Sequence, residues 1–224
     1  MQFFTLGRTL GGIFALILIL TALGAAEGDV TDQFGEGKAG TVLSGLMLAL
    51  IGLVNFRIYH ARRGPGMFRL SAPETLWLLL SLAFLFLFLD ETFQIHEGID
   101  RVFHLVTVLR ETAATDRIDD LIILAYGLIG VGILVFHRRE VTRIPRLSAY
   151  LIAGFVLTLL QTGFDALTNG EEFLVWLDLS GRVAETVHRW ASLAEEALKL
   201  LAEAVLLAGF GHALRYLRAQ TDRD

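Results

Sequence analysis

Long apolar runs dominate the pattern of hydrophobic and polar positions along the chain. A helix needs about 20 apolar residues to cross the hydrocarbon core of a bilayer, and six segments approach that length. They fall at roughly residues 8–26, 39–60, 73–95, 118–137, 147–168 and 194–215. Lipid offers the backbone no hydrogen-bond partners, and the runs lack the period-two alternation of barrel strands. The pattern therefore predicts an all-α polytopic membrane protein with six transmembrane helices in one bundle domain, residues 1–224.

The composition supports a membrane protein. Of the 224 residues, 54% are hydrophobic, 16 are Phe and none is Cys, and the mean hydropathy is +0.58. The lack of cysteine excludes disulfides, thiolate metal sites, an attached c-type haem and a cysteine nucleophile. Any chemistry must therefore rest on carboxylates, histidines and hydroxyls. We expect the lipid bilayer as partner and no nucleic acid, and we leave homo-oligomer formation open.

The charged residues are distributed unevenly between the two sides. Twelve of the nineteen Lys and Arg residues lie near the termini or after the second and fourth segments, as Arg62 and Arg139 do. Lys and Arg near helix ends stay in the cytoplasm, so both termini are expected to be cytoplasmic. All but four of the 24 acidic residues fall toward the opposite face. We expect a multi-pass protein of a bacterial-type plasma (inner) membrane with its acidic side extracytoplasmic.

The stretch FLFLDETFQIHEG, residues 86–98, changes abruptly from apolar to ionisable residues. At 1.5 Å per residue, Asp90 lies about 27 Å along the third helix, near the outer interface. Ionised side chains facing lipid are costly, so this polar face is expected to point into the bundle or a wet cavity. Apolar residues between 99 and 109 recur at helical spacing. They predict a short amphipathic interfacial helix between helices three and four.

The last helix carries a polar stripe over five turns, within a sector of about 100°. Its members are Glu185, His188, Ser192, Glu195, Glu196, Lys199 and Glu203. Lys199 and Glu203 lie deepest in the apolar run. The spacing of Glu196, Lys199 and Glu203 also permits an internal ion pair that satisfies the lysine without any further function.

Carboxylates and histidines near several outer helix ends favour a divalent-metal site. Oxygen and imidazole ligands suit hard or borderline divalent ions, and helical bundles build such sites from inward-facing residues. The expected metal ligands are Asp90, Glu91, His96, Asp165, His188, Glu195 and Glu196. Gln94 and Glu97 are expected to support these ligands, and Glu97 and Glu203 are the candidate catalytic residues. The identity of the ion is left open.

A one-sided site favours a metal-dependent enzyme that acts on a lipid or lipid-linked substrate at the outer interface. The ion would lower the pKa of a bound water, and a nearby Glu would take its proton. One alternative is a cation or proton transporter or channel with Glu203 as the deep relay. Another is an accessory subunit of a membrane complex, whose acidic face meets a basic partner or whose histidines ligate a haem or pigment. In the structural alternative, Asp90 and Glu91 merely mark the end of the third helix.

The remaining glycines and histidines have simpler interpretations. Glycines at 127, 130 and 132 indicate close helix packing in the fourth segment. His60, His137 and His212 stand beside arginines and are expected at the surface.

Overall fold

A computed structural model describes residues 5–35, 37–64, 69–96, 98–99, 102, 118–168 and 181–221, with the backbone alone for 118–121, 165–168 and 221. These residues are helical with no strand among them, which confirms the predicted all-α class. The helices are α1 (Leu6–Glu27), α2 (Ala39–Arg62), α3 (Thr75–Phe93), α4 (Ile118–Phe136), α5 (Arg138–Arg143), α6 (Leu147–Thr168) and α7 (Gly181–Thr221). A 3₁₀ turn, Asp32–Phe34, lies between α1 and α2.

Several helices are long and apolar enough to cross a membrane. Among the described residues, α1, α2, α3, α6 and α7 meet that requirement, whereas the apolar part of α4, Ile122–Phe136, is shorter. The chain therefore has the helices of a multi-pass membrane protein, and the sixth span and the position of the termini stay predictions. Most of the predicted interfacial helix at 99–109 lies outside the described residues.

The last helix organises the bundle. Its 41 residues extend about 61 Å at 1.5 Å per residue, roughly twice the thickness of a hydrocarbon core. α7 packs against α1, α2 and α6, and α2 also packs along α3. The first turns of α7, including Glu185 and His188, are largely exposed. This arrangement places the middle of the polar stripe inside the bundle.

Apolar side chains fill the end of the bundle where α2 and α7 finish and α3 begins. Trp77 and Phe210 are fully or almost fully buried there, and their rings meet edge to face with centroids 6.5 Å apart. Residues of α2, α5 and α6, such as Ile58, Val141 and Leu147, complete the same core. A second apolar core, which includes Ile17 and Leu200, holds α1 against the bundle.

A buried carboxylate joins three helices at this arginine-rich end. Glu140, on α5, is only 4% exposed and lies 3.1 Å and 3.2 Å, through its two oxygens, from the Arg62 guanidinium on α2. The Trp77 indole N–H on α3 donates to the same carboxylate at 3.3 Å, and Arg143 lies 4.0 Å from it. The neighbouring His137 is 5% exposed, so its predicted surface position is wrong. Its ring packs edge-on against Phe136 in the turn between α4 and α5.

Two glycines allow α6 and α7 to approach closely, and this close packing lies in other helices than the one predicted. A Cβ at Gly209 would fall 2.6 Å from the Tyr150 Cβ, and one at Gly154 would fall 2.6 Å from a Leu206 methyl. The lack of a side chain at Gly154 and Gly209 therefore lets α6 and α7 pack closely. At 127, 130 and 132 no described atom lies within 4 Å of the Cβ position, so the predicted close packing in α4 is wrong. Gly127 and Gly130 instead line a cavity.

Candidate functional site

A cavity of about 1400 Å³ lies between α2, α3, α4, α6 and α7. Its walls are mostly apolar and include Phe84, Ile123, Phe155 and Leu206. The end of α3 contributes Asp90, Glu91, Gln94 and His96, and α7 contributes Glu195, Glu196, Lys199 and Glu203. The polar face predicted from FLFLDETFQIHEG therefore borders an internal space together with the polar stripe of the last helix.

A tight turn brings His96 back onto Asp90. Gln94 takes a left-handed conformation with φ 52°, and its N–H donates to the Asp90 carbonyl at 2.7 Å. The chain then reverses, so the His96 backbone N–H donates to Asp90 Oδ1 at 2.9 Å and the ring Nδ1 lies 2.9 Å from Oδ2. A left-handed residue other than glycine costs about 1–2 kcal/mol. Backbone strain of this kind is often found at functional sites.

Lys199 forms an ion pair across two helices. Its Nζ lies 3.2 Å from Glu91 on α3 and 2.9 Å from Glu196 Oε2 one turn earlier on α7. The sequence predicted an internal ion pair for Lys199, and the partner on its own helix is Glu196. The second partner is Glu91, 108 positions away along the chain, and not Glu203. The lysine thus links α3 to α7 while it neutralises carboxylate charge.

Glu203 lies deeper in the bundle and has few partners. Its side chain is buried, at 6% exposure, and the Ser44 hydroxyl on α2 donates to Oε1 at 2.7 Å. Its second oxygen, Oε2, is buried and has no hydrogen-bond partner among the described residues. Buried polar atoms are normally hydrogen-bonded, so this oxygen marks an unusual position beside the cavity.

Two further polar side chains, Gln161 and Tyr126, lie on the cavity wall. The Gln161 side-chain amide on α6 donates to Glu195 Oε1 at 3.3 Å, which ties α6 to α7. The Tyr126 ring packs edge-on against Phe86 at 5.1 Å, and its hydroxyl has no hydrogen-bond partner within the described part of the chain. Neither Tyr126 nor Ser44 was among the site residues predicted from the sequence. The sequence feature that could have indicated them is a polar side chain within an otherwise apolar helix.

The structure brings five of the seven expected metal ligands to one cavity. Asp90, Glu91, His96, Glu195 and Glu196 line it. His188 is exposed, and the described lining of α7 begins only at Glu195. Glu97 and the side chain of Asp165 lie outside the described residues.

Those expected metal ligands whose side chains are described do not assemble into a metal site. Among the described residues, no group of three or more His, Asp and Glu side chains is placed to hold an ion. The physical reason is that the groups are already paired. Asp90 holds the His96 ring, and the Lys199 ammonium lies between Glu91 and Glu196. A lysine cation thus occupies the position between carboxylates that a metal would need, and the divalent ion stays a prediction.

Comparison with known proteins identifies the family. A family model described as a domain of unknown function, DUF8692, matches residues 12–214. The chain therefore belongs to this family. No curated protein and no solved structure matches it.

Proposed function

We propose that this member of the DUF8692 family is a membrane-embedded enzyme that acts on a lipid or lipid-linked substrate held in the cavity. The observation that carries this proposal is the Asp90–His96 pair, with Oδ2 and Nδ1 2.9 Å apart, at the edge of a 1400 Å³ space with mostly apolar walls. Ligand pockets are typically concave and apolar with a few placed polar groups.

The Asp90–His96 pair is suited to proton transfer. A hydrogen bond from Nδ1–H to the carboxylate leaves Nε2 as the ring nitrogen that accepts a proton. The carboxylate fixes the ring orientation and stabilises the imidazolium that forms, as the aspartate of a catalytic triad does. His96 would take a proton from a water or hydroxyl nucleophile and return it to the leaving group. This chemistry corresponds to hydrolysis or group transfer at a lipid headgroup.

The apolar core at the arginine-rich end favours a one-sided site. Phe210 lines the cavity at this end and Trp77 packs behind it, and their relative exposures are 1% and 0%. An open pore needs polar groups along its whole length. A substrate that enters from one side and leaves by the same side is compatible with this packing.

The experiment is a lipid-turnover assay on the full chain. Purified protein in liposomes of total bacterial lipid extract should convert at least one lipid species, as measured by mass spectrometry. His96→Ala should slow that conversion by about 10² or more, the usual contribution of general acid–base catalysis. His188→Ala is the matched control, because His188 is exposed and lies apart from the described cavity lining. Equal losses in the two variants, or no conversion by the wild type, would contradict the proposal.

The proposal includes the type of membrane and the side of it on which the cavity lies. We place the cavity end on the extracytoplasmic side of a bacterial-type plasma membrane, because arginines gather at the opposite end. The chain has no cysteine, so labelling of a single introduced cysteine reports the accessibility of that position alone. In intact cells, Glu185→Cys should react with a membrane-impermeant maleimide and Arg63→Cys should not. The reverse labelling would show that the cavity end is cytoplasmic and would contradict the proposed orientation.

Proton or cation translocation is a second candidate, favoured by one observation. The Glu203 side chain borders the cavity, and its buried Oε2 has no hydrogen-bond partner among the described residues, as expected of an ion relay. In this candidate the side chains around Phe210 must move to open a path. Liposome flux assays should then show transport by the wild type and its loss in Glu203→Gln. Glu185→Gln, an exposed position on the same helix, is the control.

A further inference from the structure

We propose that the cavity binds an amphipathic ligand with a positively charged amine at its polar end and a single apolar chain. This inference rests on the proposed function and names the substrate class of the same site. It depends on the charges that line the cavity, on the unpartnered oxygen of Glu203 and on the shape of the α4 wall.

Acidic side chains outnumber basic ones around the cavity. Among the described residues, the acids that line it are Asp90, Glu91, Glu195, Glu196 and Glu203, and the groups able to carry positive charge are Lys199 and His96. Lys199 is shared between two of the carboxylates. In apolar surroundings the effective dielectric constant is low, so the excess of acidic over basic groups among these lining residues favours a cation. A ligand with a negative head would meet repulsion here.

Glu203 supplies the contact point for the amine. Its Oε1 accepts a hydrogen bond from Ser44, and its buried Oε2 lacks a described donor. Lys199 is already engaged by Glu91 and Glu196 at 2.9–3.2 Å. An ammonium N–H from a ligand would satisfy Oε2, and a charge-assisted hydrogen bond is about twice as strong as a neutral one.

The wall opposite α7 leaves room for an apolar chain. Gly127 and Gly130 on α4 border the cavity, and no described atom lies within 4 Å of either Cβ position. Phe84, Ile123 and Phe155 provide apolar surface on neighbouring walls. The volume exceeds the roughly 300–1,000 Å³ of a pocket for a drug-sized molecule. A single-chain amphipath therefore fits between the acids and the glycine-lined wall.

Three probes that share the same twelve-carbon chain and differ in their polar head group test this inference. Native mass spectrometry of the full protein released from dodecyl maltoside micelles would count bound dodecylamine, dodecanol and dodecanoate. We expect one dodecylamine per chain, bound at least about tenfold more tightly than either other probe. Equal binding of the three probes would overturn the inference, because it would show partition of the chain alone.

Two variants locate the site. Glu203→Gln should weaken dodecylamine binding by about tenfold or more and leave dodecanol binding unchanged. Gly130→Leu should block dodecylamine by filling the cavity without altering any acid, and its unfolding temperature should match the wild type. Glu185→Gln, exposed on α7, should bind as the wild type does. Dodecylamine binding that survives both Glu203→Gln and Gly130→Leu would overturn the inference.

The same probe separates this inference from the proposed enzyme. His96→Ala should lose lipid conversion but keep dodecylamine binding, because the ring is not the amine contact. Lipid conversion without amine binding would overturn the substrate class and leave the enzyme proposal standing. Amine binding without any lipid conversion would support the substrate class and contradict the enzyme proposal.

Discussion

Glu140 and Glu203 are both buried carboxylates, yet their surroundings differ. Glu140 accepts hydrogen bonds from Arg62 and Trp77 inside a packed apolar core. Glu203 accepts one from Ser44, keeps an unpartnered oxygen among the described residues and borders a cavity. A buried charge with its full set of donors fixes the packing of helices. A buried acid with an unmet hydrogen bond beside open space is better suited to a ligand or a proton.

The same substitution at the two positions should produce the largest contrast. Glu140→Gln removes the charge that Arg62 faces and should lower the free energy of unfolding by about 3 kcal/mol, since breaking a buried ion pair leaves its partner uncompensated. Glu203→Gln keeps the Ser44 hydrogen bond and should change it by less than about 1 kcal/mol. Circular dichroism of unfolding in mixed detergent and dodecyl sulfate measures both. Equal losses would remove the distinction between the two carboxylates.

Removing the lysine cation should be the next largest effect. Lys199→Met leaves Glu91 and Glu196 facing each other without a cation, and we expect a loss of about 2 kcal/mol. Adding Glu91→Gln and Glu196→Gln to that variant should restore most of the stability. Lys38→Met is the control, because Lys38 pairs with Asp32 at an exposed position and should cost less than about 1 kcal/mol. A triple variant no more stable than Lys199→Met would show that Lys199 acts through packing and not through charge.

Glycine variants compare the packed side of the bundle with the cavity side. Gly209→Ala places a methyl 2.6 Å from Tyr150 Cβ and should destabilise by about 1–2 kcal/mol through forced separation of α6 and α7. Gly130→Ala meets no described atom within 4 Å and should be neutral or stabilise by up to about 1 kcal/mol through helix propensity. Thermal unfolding followed by tryptophan fluorescence distinguishes them. A destabilising Gly130→Ala would indicate that α4 packs more tightly in the membrane.

The partly exposed carboxylate of Asp29 should show the smallest effect. The pKa of Asp29 lies below its usual range because the Thr31 backbone N–H and hydroxyl donate to Oδ1 at 2.9 Å and 2.7 Å. A lowered folded-state pKa gives stability that is present above about pH 4 and is lost as the pH falls through the folded value. Asp29→Asn should therefore cost less than about 1 kcal/mol at pH 7, since the side chain is 38% exposed and solvent screens its charge.

The measurement for Asp29 is the difference between wild type and variant in unfolding experiments from pH 3 to pH 7. The difference should shrink as the pH falls below 4. A difference that stays constant with pH would show that the carboxylate charge at Asp29 contributes nothing to stability.

The polar positions of α3 and α7 show how far the sequence alone reached. The abrupt change at Asp90 and the stripe ending at Glu203 correctly predicted residues that share an internal space. Both depend on helical periodicity and on the cost of charge in lipid, which act locally. The same local reasoning misplaced His137, because its burial depends on α5 folding back against Trp77 and Arg62.

The metal hypothesis shows that residue type and spacing within one helix do not predict contacts between helices. Residue type and depth favoured a cation among the acids, and the structure gives the lysine of the same stripe that position between Glu91 and Glu196. Spacing along α7 indicated the Glu196 contact, three residues away. It gave no information about Glu91, which reaches Lys199 only because α3 ends beside the middle of α7.

By itself, the sequence determined that the chain forms apolar helices of membrane-spanning length, and that polar residues of α3 and α7 share one face of their helix, because hydrophobic length and helical period are properties of single segments. The tertiary structure alone decided which acids have partners. Ser44 and Glu203 are 159 positions apart, and Arg62 and Glu140 are 78 apart. Contacts at such separations depend on the order in which helices pack, and no periodicity within one helix encodes that order.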